Sequence, residues 1–211
     1  GQRHTPLHGY LANTSPGLYR QYFRGLLPRR LRGSDFLRSY GHLPERAGTV
    51  DPARMYNLRA VADHLLTEHE HAENFLQAME ELSDVQARKI GRHARELIWR
   101  RAGRLLLASH HSYRLRLELS CPEADFLVDS LMEHGPERGI YGVRITGPGG
   151  GGTLSLLTNR SRKADDALLN VMSAFEKEFG RRVEVVEAGA KGAAGAMAQS
   201  TAAGGGQIQL S

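Results

Sequence analysis

The chain has 211 residues, 40% of them hydrophobic and 24% charged, which is the composition of a soluble globular protein long enough for a sizeable core in one or two domains. Its single cysteine, Cys121, rules out an internal disulfide and points to a reducing, cytoplasmic setting; no apolar run approaches membrane-spanning length, and no signal peptide is recognisable. A net charge of +5 and a pI near 9.6 favour anionic partners without choosing among them.

The chain opens Gly1-Gln2-Arg3-His4 without a methionine, which suggests a processed, tagged or truncated start. Residues 1–14 read as irregular. Ser15-Pro16 then marks a helix start, because proline is tolerated in the first turn. Leu18, Tyr22 and Leu26, beside Tyr19, Phe23 and Leu27, form adjoining stripes that predict one buried face ending at Pro28. Arg29, Arg30 and Arg32 follow as a basic cluster, read either as a solvated helix end or as a phosphate clamp. Ser34 is placed to cap a short helix through Phe36, Leu37 and Tyr40 that stops at Gly41. Asp51-Pro52 is expected to start a helix running to Leu82 with a break or bend. Ser83-x-x-Gln86 reads as a capping box opening a long helix, with Ile90, Ala94, Leu97, Ile98, Leu105 and Leu106 inward.

Arg114–Ser120 alternates Leu115, Leu117 and Leu119 with charged residues, as a short strand or extended lead-in would. Ser120-Cys121-Pro122-Glu123 is a strong helix start, and Leu127, Val128, Leu131 and Met132 form that helix's face before Gly135. Tyr141, Val143 and Ile145 alternate as a half-buried strand, and Leu154, Leu156 and Leu157 suggest a returning one. Ala167, Leu168, Val171, Met172, Phe175 and Phe179 mark an amphipathic helix ended by Gly180, and Val183, Val185 and Val186 read as a strand. Residues 188–207 are Gly/Ala-rich with little to bury and read as a mobile tail, with Ile208 and Leu210 available for a terminal strand. The expected layout is α+β: a helical lead-in over 1–82, an α+β domain over 83–188 with helices on one face of a small antiparallel sheet, and a tail over 189–211.

The stretch between the two central strands, Gly147-Pro148-Gly149-Gly150-Gly151-Gly152, holds five glycines and one proline. Successive glycines can turn their N–H groups inward and cradle an anion. Pro148 has no N–H, so the donors would come from Gly149, Gly150, Gly151 and Gly152, with the Thr146 hydroxyl as a further donor. A hairpin turn with no ligand fits the same composition. Gly147, Gly149 and Gly152 match G-x-G-x-x-G literally, but a strand follows where a dinucleotide fold needs a helix, and no Gly-Lys-Ser/Thr is present. Arg144 fits either a charge clamp or a solvated strand face. His64, Glu68 and His71 share a helix face but lack a fourth ligand, and read as a solvated polar surface. Cys121 reads as a packed thiol, and His110 and His111 as hydrogen-bonding groups at a helix end. Nucleic-acid binding is disfavoured: the strands carry only Tyr141 as an aromatic.

Several motifs fall in a telling order. Ser109-His110-His111-Ser112, Ser120-Cys121-Pro122-Glu123-Ala124-Asp125 and the run Gly142 to Gly152 resemble the S-H-x-S, S-C-P-E-x-D and third glycine-rich motifs of the GHMP small-molecule kinases, with galactokinase most similar. Val50-Asp51-Pro52-Ala53-Arg54-Met55-Tyr56-Asn57-Leu58-Arg59-Ala60 resembles the V-D-P-x-R-x-Y-x-x-R-A stretch of the arabinokinase branch. The similarity runs from about Tyr10 to Ala188, most of the chain.

The resemblance implies ATP-dependent phosphorylation of a monosaccharide at its anomeric hydroxyl. It also implies that the catalytic aspartate, the phosphate loop at a helix start, Mg²⁺ and most ATP contacts belong to an amino-terminal half. No G-L-S-S-S-like segment is present, so this chain is expected to hold no catalytic residue, to need that half or a second chain as partner, and not to turn over alone. Its own share would be phosphate binding by Thr146, Gly147, Gly149, Gly150, Gly151 and Gly152. The alternative is a degenerate kinase half serving as a ligand- or protein-binding regulatory module.

Overall fold

The computed structural model describes residues 11–43, 48–87, 91–147, 152–159, 161–187 and 203–210. The chain divides into two compact units, Gly1–Glu70 and His71–Ser211.

In the amino-terminal unit a single turn of helix, α1 (Pro16–Leu18), passes into a π turn over Tyr19–Phe23. That change of pitch breaks the predicted stripe. Tyr19 is buried with Ala62 and Leu66, and Leu27 packs beside them, but Leu18, Tyr22, Phe23 and Leu26 face solvent. A two-stranded ladder follows, β1 (Leu31–Arg32) against β2 (Met55–Tyr56), with Leu31 opposite Tyr56. Helix α2 (Gly33–Tyr40) ends before Gly41 as expected, but Arg32, not Ser34, stands at its cap position. Its first N–H groups are taken by carbonyls instead: Gly33 donates to Arg54 and Ser34 to Pro52, each at 2.9 Å. Asp51-Pro52 therefore forms a turn and not a helix start. The Asp51 carboxylate accepts the Ala53 N–H at 2.8 Å, a side-chain mimic of a backbone turn.

Helix α3 (Leu58–Ala87) is continuous and contains no proline or glycine, so nothing in it supplies the expected break. Ser83 lies inside it. The next helix, α4 (Arg92–Ser112), starts after Gly91, and Ile90 lies outside the described residues. The Arg114–Ser120 stretch is not a strand. Tyr113–Leu117 stays wound as a π turn on the end of α4, and Glu118, at a left-handed φ of 56°, reverses the chain. Helix α5 (Pro122–His134) begins and ends where the sequence predicts.

The sheet is antiparallel throughout, in the order β3 (Ile140–Ile145), β4 (Thr153–Asn159), β6 (Ala203–Leu210), β5 (Val183–Glu187). The expected tail thus divides: residues 188–202 lie outside the described set, while the backbone from Ala203 to Leu210 inserts between β4 and β5. Helix α6 (Arg162–Phe179) starts at Ser161, whose hydroxyl accepts the Ala164 N–H.

Helices α5 and α6 bury Leu127, Leu131, Val171 and Phe175 against Val143, Ile145, Leu154, Leu156 and Val183. A second cluster joins α3 and α4 to the hairpin through Ala78, Leu82, Trp99, Ala102, Tyr141 and Leu157. Tyr141 departs from the predicted alternation. The pairing steps from Ile140 opposite Thr158 to Gly142 opposite Leu157, a bulge that leaves Tyr141 extra and sends it to the α4 side. Its hydroxyl donates to Glu96 at 2.7 Å, and burial together with that carboxylate raises its pKa to about 12. Strand β3 is accordingly buried on both sides, with only Arg144 partly exposed. Close approach completes the layer: a Cβ on Gly103 of α4 would stand 1.9 Å from the Tyr141 carbonyl oxygen, and one on Gly142 would stand 2.3 Å from the Gly103 oxygen.

Candidate phosphate-binding hairpin

The β3–β4 hairpin carries the glycine-rich run at its open end. Ile145 opposite Leu154 is the last pair of the ladder. Beyond it, the Thr146 N–H donates to the Thr153 carbonyl at 2.9 Å, and the Thr146 hydroxyl donates to the same oxygen at 3.1 Å. That hydroxyl closes the hairpin, so donating to a phosphate would require this bond to open. Gly147 and Gly152 then frame the turn with φ of 73° and 99°, values that a side-chain-bearing residue rarely adopts. Among the described residues, nothing lies within 4 Å of where a Cβ would project from either. Gly149, Gly150 and Gly151 lie outside the described residues, as does Pro148.

Tyr113 escapes a reading by motif, and it engages both Gly147 and Arg144. The Tyr113 hydroxyl donates to the Gly147 carbonyl at 3.4 Å, and the Arg144 guanidinium lies over the Tyr113 ring, 5.6 Å from its centre. Arg144 also donates from Nε to the Ile145 carbonyl at 3.0 Å. Its charge is therefore held along the strand and against an aromatic ring. A tyrosine directly after S-H-x-S was the available signal, and alternation gave it no special place.

The two short motifs meet in space. Ser109, His110 and Ser112 are buried at the end of α4. His110 Nε2 lies 3.3 Å from Asp125 Oδ1, although neither ring nitrogen has a hydrogen-bond partner among the described residues. Asp125 also accepts the Ser120 hydroxyl at 2.5 Å and pairs with Arg114 Nε at 3.1 Å, while Arg114 reaches Asp129 at 3.3 Å. Burial pushes the His110 pKa below its ordinary 6.5, and Asp125 opposes that shift without cancelling it. The pair ties the end of α4 to the start of α5, next to the residue that supports Gly147. Cys121, just before α5, is partly buried against the main core, and so packs as expected.

The Val50–Ala60 motif likewise holds its unit together. The Asp51 N–H donates to the Tyr56 hydroxyl at 3.0 Å, Arg54 lies over the Tyr56 ring, and Arg59 donates through Nε and Nη2 to the Leu27 carbonyl. Along α3, Asp63 pairs with Arg24 and Glu70 with Arg20. Among the described residues no three histidine, cysteine, aspartate or glutamate side chains gather as a metal site, and no helix is long and apolar enough to cross a membrane.

Comparison with known proteins agrees with this geometry. A family model described as GHMP kinases C terminal matches residues 67–177. L-arabinokinase of Arabidopsis thaliana is 25% identical over 191 residues, covering 87% of this chain and 17% of that protein. Galactokinase of Thermotoga petrophila is 33% identical over 156 residues, 72% of this chain and 39% of its own. Galactokinase of Bos taurus is 48% identical over 60 residues, 28% of this chain and 14% of its own. The chain therefore spans well under half the length of these relatives. With more than half of its residues under one family model, and the motifs of that region joined through His110 and Asp125, the chain belongs to the GHMP kinases as their C-terminal domain.

Proposed function

We propose that this chain is the carboxy-terminal portion of an ATP-dependent sugar kinase, moving the terminal phosphoryl group of ATP to the anomeric hydroxyl of a monosaccharide. Its contribution is the glycine-rich hairpin turn at the phosphate end of the cleft. One observation supports this most: Gly147 and Gly152, both at positive φ, flank the glycine run at the end of a hairpin fixed by a dense core. Phosphoryl transfer depends mainly on positioning and on stabilising charge on the transferring oxygens, and N–H groups of such a turn suit that task. The hairpin offers hydroxyl and N–H donors and no carboxylates, so it does not fit Mg²⁺. Magnesium, the catalytic base and most ATP contacts would fall to an amino-terminal half, in the same polypeptide or in a partner chain, and the setting would be cytoplasmic.

The test is to mix the chain with the amino-terminal half of a galactokinase- or arabinokinase-type enzyme and assay ATP-dependent phosphorylation of a panel of monosaccharides. Turnover that needs both halves, and that Gly149→Val and Gly151→Val abolish while the thermal melt stays unchanged, supports the reading. Full turnover in both variants rejects the loop's role. The exposed stripe of Leu18, Tyr22, Phe23 and Leu26 suits a partner surface, and so also suits the degenerate-half alternative. Saturable nucleotide or sugar binding with no turnover in any mixture would select that alternative.

A further inference from the structure

The amino-terminal unit gathers several arginines around one concavity. A cavity of about 340 Å³ is lined by Arg24, Arg29, Arg30, Asn57, Arg59, Ala60 and Asp63, four arginines against one aspartate. The ladder explains why they meet. Leu31 opposite Tyr56 sets Arg29 and Arg30, just before β1, beside Asn57 and Arg59, just after β2.

The charges in the wall are not alike. Asp63 is engaged by Arg24 through two bonds, at 2.8 and 2.9 Å, and by the Tyr19 hydroxyl at 3.0 Å. One arginine is thereby neutralised, and Asp63, the only carboxylate among the described lining residues, is occupied. Arg59 is held at Nε and Nη2 by the neutral Leu27 carbonyl, which fixes the guanidinium without cancelling its charge. Arg29 and Arg30 have no ion-pair or hydrogen-bond partner among the described residues. Three guanidiniums with no carboxylate partner among the described residues thus line one concavity, and their like charges favour an anion there. The planar fork of arginine matches the oxygens of a phosphoryl group, and one pre-fixed member lowers the ordering cost. The volume is at the small end of ligand pockets and suits a compact ligand.

We propose that this cavity binds a small phosphate-bearing molecule, with Arg29, Arg30 and Arg59 gripping the phosphoryl group. The site lies in a different unit from the glycine-rich hairpin and stands whether or not the kinase reading does.

The experiment titrates the 211-residue chain with inorganic phosphate, pyrophosphate, a hexose 1-phosphate and ATP by calorimetry at about 20 mM salt, where screening is weak. Amide shifts are followed in parallel. Arg29→Gln combined with Arg30→Gln is expected to weaken binding at least about tenfold, whereas Arg38→Gln, in the same unit but paired with Asp35, leaves it unchanged. Amide shifts are expected at Asn57–Ala60. No binding by any of the four probes, equal binding by the double variant, or shifts confined to Thr146, Gly147 and Gly152 would each overturn the site. Retention of heparin or an oligonucleotide without small-phosphate binding would also overturn it, in favour of a diffuse polyanion surface. Exposed Arg29 and Arg30 can be replaced without touching the core, so failure to fold does not blur the result.

Discussion

The carboxy-terminal unit buries Leu127, Leu131, Val143, Ile145, Leu154 and Phe175 almost completely, whereas the amino-terminal cluster consists of Tyr19, Ala62 and Leu66 with Leu11 and Leu27 beside them. The amino-terminal unit relies instead on polar ties: Arg59 to the Leu27 carbonyl, Gly33 and Ser34 to the Asp51–Arg54 turn, Arg24 and Tyr19 to Asp63. Burial of apolar area is not weakened by charge screening, while exposed ion pairs are. The unit that carries the candidate phosphate turn therefore has a stiff foundation. The unit that carries the arginine cavity is held by groups whose strength depends on the solvent.

The largest expected effect tests that foundation. Gly→Ala inside a helix ordinarily stabilises by about 1 kcal/mol. At Gly103 the added methyl would meet the Tyr141 carbonyl at 1.9 Å, so Gly103→Ala is expected to cost about 1–3 kcal/mol in urea unfolding. An unchanged or higher midpoint would show that α4 and β3 are not locked together. A smaller effect follows from His110. Its folded pKa is lowered, so the unfolded chain binds the proton more readily, and stability is full above pH 6.5. Stability should then fall as pH drops from 6.5 towards the lowered folded value, by at most about 1.4 kcal/mol per pH unit, and the loss should be absent in His110→Asn. A profile identical in wild type and variant would show that His110 does not couple to folding.

Smaller again is the response to Asp63→Asn. It removes the charge that holds Arg24, and the resulting loss of thermal midpoint should shrink as salt rises. A salt-independent loss would mean that packing, and not charge, orders this unit. The smallest change is expected at Leu26, which is 79% exposed. Leu26→Ser should move stability by no more than about 0.5 kcal/mol. A large loss would place Leu26 in a packed face after all.

Much of the carboxy-terminal unit was legible from residue patterns. Pro122 and Gly135 bracket α5 and Gly180 stops α6 because their roles at helix ends are local, and the apolar runs of β3 and β4 announce a hairpin. Legibility failed where distant groups decided. The Leu18–Leu27 stripes have good helical spacing, yet a π turn leaves four of their six residues in solvent. The leucines of Arg114–Ser120 alternate like a strand, yet the chain stays wound on α4. In the candidate site, the glycines of the turn were visible in the sequence. The Tyr113 support, the His110–Asp125 approach and the commitment of the Thr146 hydroxyl to Thr153 were not, because each joins residues from different elements or across a turn.

By itself the sequence determined the family motifs, both ends of α5, the stops of α2 and α6 and the glycine run, since these rest on backbone preferences confined to a few neighbouring residues. Only the tertiary structure decided that residues 203–210 belong inside the sheet, that Tyr141 leaves its strand's alternation, and that four arginines share one cavity. Those outcomes depend on strand pairing and close approach between segments far apart in the chain. Short-range pattern holds no record of such contacts.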